Sequence, residues 1–460
     1  MDSTQYDLAV IGSGPAGQKG AIAAAKLGKH VAIIDREDML GGVSLHTGTI
    51  PSKTLREAVL YLTGFRQRSF YGSDYTVKQN ISKADLEFRV RLVIEREMQV
   101  VREQLRRNGV TTVAGTARFA DPHTLEVASS SGSCLVRADH VLIACGTRAA
   151  LCPDIPFGGR IITADQLRDS LDLPHELIIV GAGVIGLEYA SMCAALGIRV
   201  TLVEQRPAIL EFVDQEIVEA LLYHLRGLGT TLRLGEKVVR VAPEDGTRVL
   251  AELESGKRIH AEGLLYAVGR QANTDTLNLA AAGLAADERG KIIVNDHFQT
   301  DVPHIYAAGD VIGFPALAAT SMEQGRLASC AMFGKPGKFT PHLLPYGIYA
   351  IPEISMVGRT EKDLTDAKIP YEMGLARYAE IAKGLMVGDQ TGLLKILFHL
   401  DTHKILGVHA IGEAATEIIH IAQAVMTLDG TIEYFRDSVF NYPTFAEAYK
   451  IAALNGLNKL

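Results

Sequence analysis

What the chain lacks narrows it first. There is no basic excess: 46 lysines and arginines stand against 53 aspartates and glutamates, a formal charge of −7 over 460 residues. Such a balance offers no broad electrostatic footprint for nucleic acid or an anionic membrane. A basic leader is missing too, since Met1-Asp2-Ser3-Thr4-Gln5-Tyr6-Asp7 is acidic and polar and runs straight into an apolar strand, whereas a secretory signal opens with positive charge. Cysteine is sparse. Cys134, Cys145, Cys152, Cys193 and Cys330 are too few for a disulfide scaffold and none stands in C-x-x-C spacing, which predicts free buried thiols in a reducing cytoplasm. No H-E-x-x-H or Cys/His cluster occurs. His399 and His403 have H-x-x-x-H spacing, but residues 393–398 and 405–409 alternate around Asp401-Thr402, so a hairpin is expected, its turn breaking the alignment of the two rings, and no metal is assigned. The longest run resembling a membrane span, residues 177–198, contains Glu188 and glycines 181, 183, 186 and 197 and is expected to split into a strand and a helix.

What is present is ordinary globular composition, 47% hydrophobic and 22% charged, with length for about three domains at roughly 150 residues each. One plan occurs twice. An apolar strand from Asp7 runs into Gly12-x-Gly14-x-x-Gly17, an Ala-rich helix follows, and the next strand ends at Asp35, 23 residues after Gly12. The first glycine permits a tight turn, the second lets backbone N–H groups approach a pyrophosphate, and the third packs helix on strand. An acid at that offset can accept hydrogen bonds from a ribose diol. Residues 177–180 then lead into Gly181-x-Gly183-x-x-Gly186, a helix, and a strand ending at Glu204, again 23 residues after the first glycine. Each copy later reaches a strand closed by glycine, Gly146 and Gly269, preceded by turns at Asp121-Pro122 and Ser131-Gly132 or at Asp245-Gly246 and Ser255-Gly256. These read as small antiparallel meanders. The first copy carries an extra segment, about 53–108, where Leu86, Phe88, Val90, Leu92, Val93 and Ile94 sit among many charges as in exposed helices. Two dinucleotide sites are implied, one more than the use of a single nicotinamide cofactor requires.

The segment Gly41-Gly-Val-Ser44-Leu-His-Thr-Gly-Thr49-Ile-Pro-Ser-Lys53 resembles the active-site segment of the two-dinucleotide flavoprotein disulfide reductases, a family that includes lipoamide dehydrogenase and glutathione reductase. Thr300 to Asp310 is similar to the family's second FAD motif, and Pro443-Thr444 with Glu447 to its C-terminal motif. The resemblance implies an α/β fold: two Rossmann-like domains, for FAD and NAD(P), and an α+β C-terminal dimerisation domain that makes a homodimer or a larger homo-oligomer. The boundaries expected are 1–148 and 273–340 for FAD, 149–272 for NAD(P) and 341–460 for dimerisation. By the same resemblance FAD would be held by Gly12, Gly14, Gly17, Asp35, Ser44, Thr49, Lys53, Gly146, Asp310 and Ala319. NAD(H) and NADP(H) would be held by Gly181, Gly183, Gly186, Glu204, Arg206 and Gly269. Lys53 and Glu188 are similar to the family's ion pair beside flavin N5. The segment Ala316–Glu323 reads as a helix start with a Thr320/Glu323 capping box, its N-terminus facing the flavin N1/O2 edge.

Two departures carry most information. The family segment holds two cysteines five positions apart that form a redox disulfide; Ser44 and Thr49 stand there, and hydroxyls do not cycle between dithiol and disulfide. A proton-shuttling His precedes the family's Pro-Thr; Tyr442 stands there, and a phenol with an ordinary pKa of about 10 shuttles protons poorly at neutral pH. Tyr442 and Glu447 are read as a hydrogen-bonded pair packed at the dimer interface, a catalytic part being the lesser reading. With the thiol half-reaction missing, the joint pattern (G-T-I-P-S-K, residues 348–358, and 440–449) most resembles the soluble pyridine nucleotide transhydrogenases. It implies hydride transfer between NADPH and NAD⁺ through FAD. An NAD(P)H:quinone or dye oxidoreductase of the same fold is the alternative, and a non-catalytic nucleotide-sensing dimer a remote one. Glu204 should favour NAD(H), with Arg206 partly compensating for NADP(H).

Overall fold

The computed structural model describes residues 3–36, 39–167, 173–337 and 339–460, so Met1 and Asp2 of the N-terminal reading lie outside the described residues. The chain divides into two compact units, one of Met1–Leu55, Glu87–Ala150 and Gly269–Phe339, the other of Arg56–Leu86, Leu151–Val268 and Thr340–Leu460.

The first unit is built on the strand Ser3–Ile11. Leu8, Ala9 and Val10 are all fully buried, so both faces of the strand are covered, as a parallel sheet with helices on each side demands. Its parallel neighbours are Val31–Asp35 and Gly132–Ile143, flanked in turn by Thr111–Ala114 and Ile305–Ala307. The strands Thr116–Asp121 and Thr124–Ser129 join Gly132–Ile143 as the expected meander. The helices Pro15–Lys26 and Ala318–Met332 pack through glycine: a Cβ on Gly325 would lie 2.0 Å from the Ala16 carbonyl oxygen, and one on Gly20 would lie 3.1 Å from that of Gly325. The extra segment departs from expectation. Within the helix Lys83–Arg107, Val90 and Ile94 pack on Leu45, and Val101 and Leu105 are buried as well. Only the opposite side, with Phe88 and Leu92, is exposed; spacing of four residues separates the two faces.

The second unit repeats the parallel plan with Thr231–Leu234, Arg199–Glu204, Glu176–Val180, Gly263–Tyr266 and Ile161–Thr163 in that order. Residues 177–198 do split, into that central strand and the helix Val184–Ala195, and among the described residues no helix is long and apolar enough to cross a membrane. Its meander is Val238–Glu244, Arg248–Leu253 and Arg258–Ala261. After Thr340 the chain forms a five-stranded antiparallel sheet covered by the helices Ala415–Thr427 and Glu447–Leu457. Leu393–His399 and Ile405–Ile411 are the predicted hairpin. His399 Nδ1 accepts the Asp401 N–H at 3.1 Å, while His403 Nδ1 meets Glu433.

One buried charge ties this sheet to the helix Gln215–Gly227. Asp214 caps that helix by accepting the Glu216 N–H at 3.2 Å, and it also accepts from Lys395 Nζ at 2.9 Å; both side chains are about fully buried, 2% and 1% exposed. Glu216 stands 3.1 Å from the same ammonium and Glu361 closer still. Burial opposes the charge on Lys395, but its bonds to Glu361 and Asp214 outweigh burial and hold its pKa above the usual lysine value. Asp214, Glu216 and Glu361 have the geometry of a metal-ligand set, yet the Lys395 ammonium already serves as their cation. Lys395→Ala should leave Asp214 buried without its partner and destabilise by roughly 3–5 kcal/mol, lowering the urea midpoint of the unit that contains it; an unchanged midpoint would contradict this.

Candidate cofactor-binding sites

The two glycine loops are almost superimposable in their sterics. Gly12 has φ +99° and a Cβ there would fall 2.3 Å from the Ala144 oxygen; Gly181 has φ +101° and would meet the Ala267 oxygen at 2.6 Å. Gly17 and Gly186 each leave only 1.9 Å between a Cβ and the oxygen of the loop's first glycine, so any side chain would push the helix off its strand. Over the middle glycines, Gly14 and Gly183, a Cβ would meet nothing within 4 Å. These two residues are the N-caps of the helices Pro15–Lys26 and Val184–Ala195. Neither helix has a capping side chain or an acid in its first turn. The first amides of each helix therefore lack a side-chain acceptor and carry the positive end of the dipole, in the open space that a pyrophosphate fits.

Each acid sits beside its loop. Asp35 Oδ2 accepts from Ser13 N–H (2.7 Å) and Ser13 Oγ (2.6 Å), and Glu204 Oε2 accepts the Ala182 N–H at 2.8 Å. Glu204 differs in already holding a cation. The Arg206 fork donates Nε and an Nη to its two oxygens at 3.0 and 3.1 Å, and the Arg206 N–H adds a third bond. Burial raises the Glu204 pKa, but these bonds overcome it and set the carboxyl below the usual glutamate value.

Most of the residues assigned to FAD gather within the first unit. Gly41 donates its N–H to Ser13 Oγ at 2.9 Å, which brings the Gly41–Lys53 segment onto the first loop. There Ser44 lies in the short helix Val43–His46 and donates to the Gly41 oxygen, while Thr49 opens the helix Thr49–Leu62 that carries a half-buried Lys53. Gly146, with φ +64°, accepts the Asn273 N–H. Asp310 accepts from Thr147 Oγ1 at 3.3 Å and Ser321 Oγ at 3.4 Å, supports that the sequence reading missed; Thr147 directly follows Gly146, the one available signal. Ala319 is exposed in the first turn of Ala318–Met332, but the expected capping box is not there. Leu317 is the N-cap, so Thr320 is a buried residue inside the helix, and Glu323 pairs with Arg326 instead. The helix starts earlier than its polar residues suggested: Leu317 is still extended, but its carbonyl already accepts the Ser321 N–H at 2.8 Å. Its start has no side-chain cap, leaving its amides to another acceptor.

Glu188 belongs to the second unit and Lys53 to the first. Glu188 is 4% exposed and accepts the Tyr349 N–H at 2.9 Å. Gly269 has φ +132° and comes three residues after the strand Gly263–Tyr266 in the chain. Tyr442 and Glu447 do not form the pair expected of them within one protomer. The turn closed by Thr444 donating to the Asn441 oxygen leaves Tyr442 72% exposed, and Glu447 Oε2 is buried with no hydrogen-bond partner. The cysteines are less buried than expected: Cys193 alone is buried, Cys134 is exposed and the rest are intermediate. Withdrawal from water pushes the Cys145 and Cys193 thiols up to about 12, far from the thiolate that exchange chemistry uses.

Residues 6–325 match the model of the pyridine nucleotide-disulphide oxidoreductases, and residues 344–453 match that family's dimerisation domain. The chain belongs to this family. It is an FAD-dependent oxidoreductase with Rossmann-type dinucleotide domains and a C-terminal dimerisation domain. Among its relatives, a protein of Mycobacterium tuberculosis (strain ATCC 25177 / H37Ra) named soluble pyridine nucleotide transhydrogenase is 55% identical over 99% of this chain and 98% of its own length. One of the same name from Colwellia psychrerythraea is 45% identical over 100% and 99%. Among solved structures, the HOCl-induced flavoprotein disulfide reductase RclA of Escherichia coli superposes with a TM-score of 0.89 at 26% identity, covering 98% of this chain and 99% of that one. LpdA of Mycobacterium tuberculosis gives 0.90 at 25%, with the same coverage.

The Glu204–Arg206 fork generates a prediction for nucleotide choice. Arg206→Ala should lower kcat/KM for NADPH by about tenfold or more while NADH stays within about threefold, because only the 2′-phosphate needs a guanidinium. Glu204→Gln should narrow the preference by releasing Arg206. Steady-state kinetics with both nucleotides checks this; equal losses for NADH and NADPH in Arg206→Ala would refute it.

Proposed function

We propose that the protein passes a hydride between NADPH and NAD⁺, as a soluble transhydrogenase of the Si-specific type. FAD, when bound, supplies the two-electron carrier that takes a hydride from one nicotinamide and returns it to another. The observation that carries this reading is a joint loss: Ser44 and Thr49 stand where the family's redox cysteines would be and Tyr442 where its shuttling histidine would be, while both glycine cradles and both acids are complete. The relatives named above bear the same activity in their names.

In this reading residues 1–148 and 273–340 hold FAD, 149–272 hold the nicotinamide nucleotide and 341–460 form the dimer. Gly12, Gly14 and Gly17 open the helix amides to the FAD pyrophosphate, and Asp35 accepts from the ribose. Asp310, steadied by Thr147 and Ser321, takes the ribityl-phosphate region. Ser44, Thr49 and Gly146 would help hold the flavin, and the uncapped amides near Ala319 would offer their positive dipole end to a negatively charged ring. Gly181, Gly183, Gly186 and Gly269 form the second cradle, with Glu204 selecting the 2′-OH of NAD(H) and Arg206 accommodating NADP(H). By resemblance to the family's ion pair, Lys53 would polarise the flavin ring, with Glu188 as its counterpart in that pair; neither would exchange a proton with substrate. Tyr442 and Glu447 serve the interface of a cytoplasmic homodimer or a larger homo-oligomer built from it.

The test is anaerobic. Purified holoenzyme mixed with NADPH and a spectrally distinct NAD⁺ analogue should exchange hydride with ping-pong kinetics, because one cleft serves both nucleotides in turn. Reductive titration should proceed without a thiolate-to-flavin charge-transfer band. Fast turnover of a quinone with negligible nucleotide exchange would overturn the proposal in favour of a quinone or dye reductase, and appearance of the band would place a cysteine in the site.

A further inference from the structure

Three consecutive backbone residues, Tyr349, Ala350 and Ile351, receive polar contacts from both helices that carry the groups assigned to the flavin. From the helix Val184–Ala195, Glu188 Oε1 accepts the Tyr349 N–H at 2.9 Å, and Ser191 Oγ accepts the Ile351 N–H at 3.0 Å. Ser191 is fully buried and donates its own proton to the Glu188 carbonyl oxygen at 2.8 Å. The two residues are three apart and share one helix face. From the helix Thr49–Leu62, Arg56 donates Nε to the Ala350 oxygen at 3.0 Å, with Nη2 3.8 Å from Glu353 Oε2. Arg56 is again three residues beyond a flavin-facing candidate, Lys53, and is only 5% exposed.

These groups are costly where they are. Removing a guanidinium from water costs several kcal/mol unless its donors are satisfied, and Arg56 spends Nε on one carbonyl of this tripeptide. Serine is mediocre in a helix interior, yet Ser191 bridges its own helix to the amide two residues from the one that Glu188 holds. If Ser191 or Arg56 shifts, the anchor of the Glu188 carboxylate shifts with it.

We propose that Arg56 and Ser191 are positioning residues for hydride transfer, acting through Tyr349-Ala350-Ile351 to fix Glu188 and the helix of Lys53. This rests on the reading of Lys53 and Glu188 given above. Misplacement by a fraction of an ångström slows a step that needs near-attack geometry without weakening nucleotide binding.

The test uses holoenzyme carrying Ser191→Ala or Arg56→Lys, which keeps the charge but not the planar fork, and Tyr449→Phe as a control. Tyr449 is buried and donates to the Ile418 oxygen at 2.8 Å, so its variant loses a buried hydrogen bond elsewhere. In anaerobic stopped flow, both positioning variants should reduce their flavin about tenfold more slowly at saturating NADH, with the NADH Kd within about twofold of wild type. In the apoprotein, amide hydrogen exchange at 349 and 351 should accelerate in Ser191→Ala. The control should lose thermal stability yet reduce flavin at the wild-type rate. Wild-type reduction rates in both positioning variants, or a slowing matched by Tyr449→Phe, would overturn the proposal. Failure of either nucleotide to reduce wild-type flavin would instead strike the functional reading beneath it.

Discussion

The helices that follow the two dinucleotide loops, Pro15–Lys26 and Val184–Ala195, begin on a glycine and leave their first amides without a side-chain acceptor. That arrangement is mildly unfavourable by itself, since a glycine at the N-cap forgoes roughly a few tenths of a kcal/mol relative to a capping serine or aspartate. It becomes favourable when an anion takes the amides. The surrounding structure serves it: Gly12 and Gly181 bend the chain into the turn, Gly17 and Gly186 bring the helix against its strand, and Asp35 and Glu204 are held to the same loop by its second residue. The helix start at Leu317 also lacks a side-chain cap. Dinucleotide binding is therefore built into the backbone, and the side chains refine it.

The chemistry differs from that of the disulfide reductases by subtraction. Ser44 and Thr49 stand where the family's segment has its cysteines, without the sulfur, and Ser44 uses its hydroxyl to tie down the Gly41 turn. Burial holds the thiols of Cys145 and Cys193 protonated. In the proposed function, electrons that reach a bound flavin would leave by the route through which they entered.

Polar groups removed from water organise the second unit. Lys395 is caged by carboxylates, Glu204 by Arg206, and Glu188 by a backbone amide. Each is a buried charge whose partner is distant in sequence or of opposite sign nearby, and each would be costly if left alone. In the proposed function, nucleotide selection at Glu204 is an exchange of partners, in which the ribose would meet a carboxylate already engaged by an arginine.

The sequence by itself determined the two glycine loops, their acids, the meanders, the hairpin at 393–411 and the missing redox pair, because each rests on local sterics or on the chemistry of a single side chain. Glycine needs no tertiary context to adopt φ near +100°, and a hydroxyl cannot become a disulfide in any fold. The tertiary structure decided what depends on long-range packing. It moved the start of the helix Ala318–Met332 ahead of Thr320 and buried one face of a helix whose sequence looked exposed. It also left Tyr442 exposed. The clamp on residues 349–351 was likewise invisible in sequence, since Arg56 and Ala350 lie 294 positions apart and Glu188 and Tyr349 lie 161 apart. Hydrogen bonds of that reach from a side chain to a distant backbone leave no trace in residue type, and only the folded chain brings their ends together.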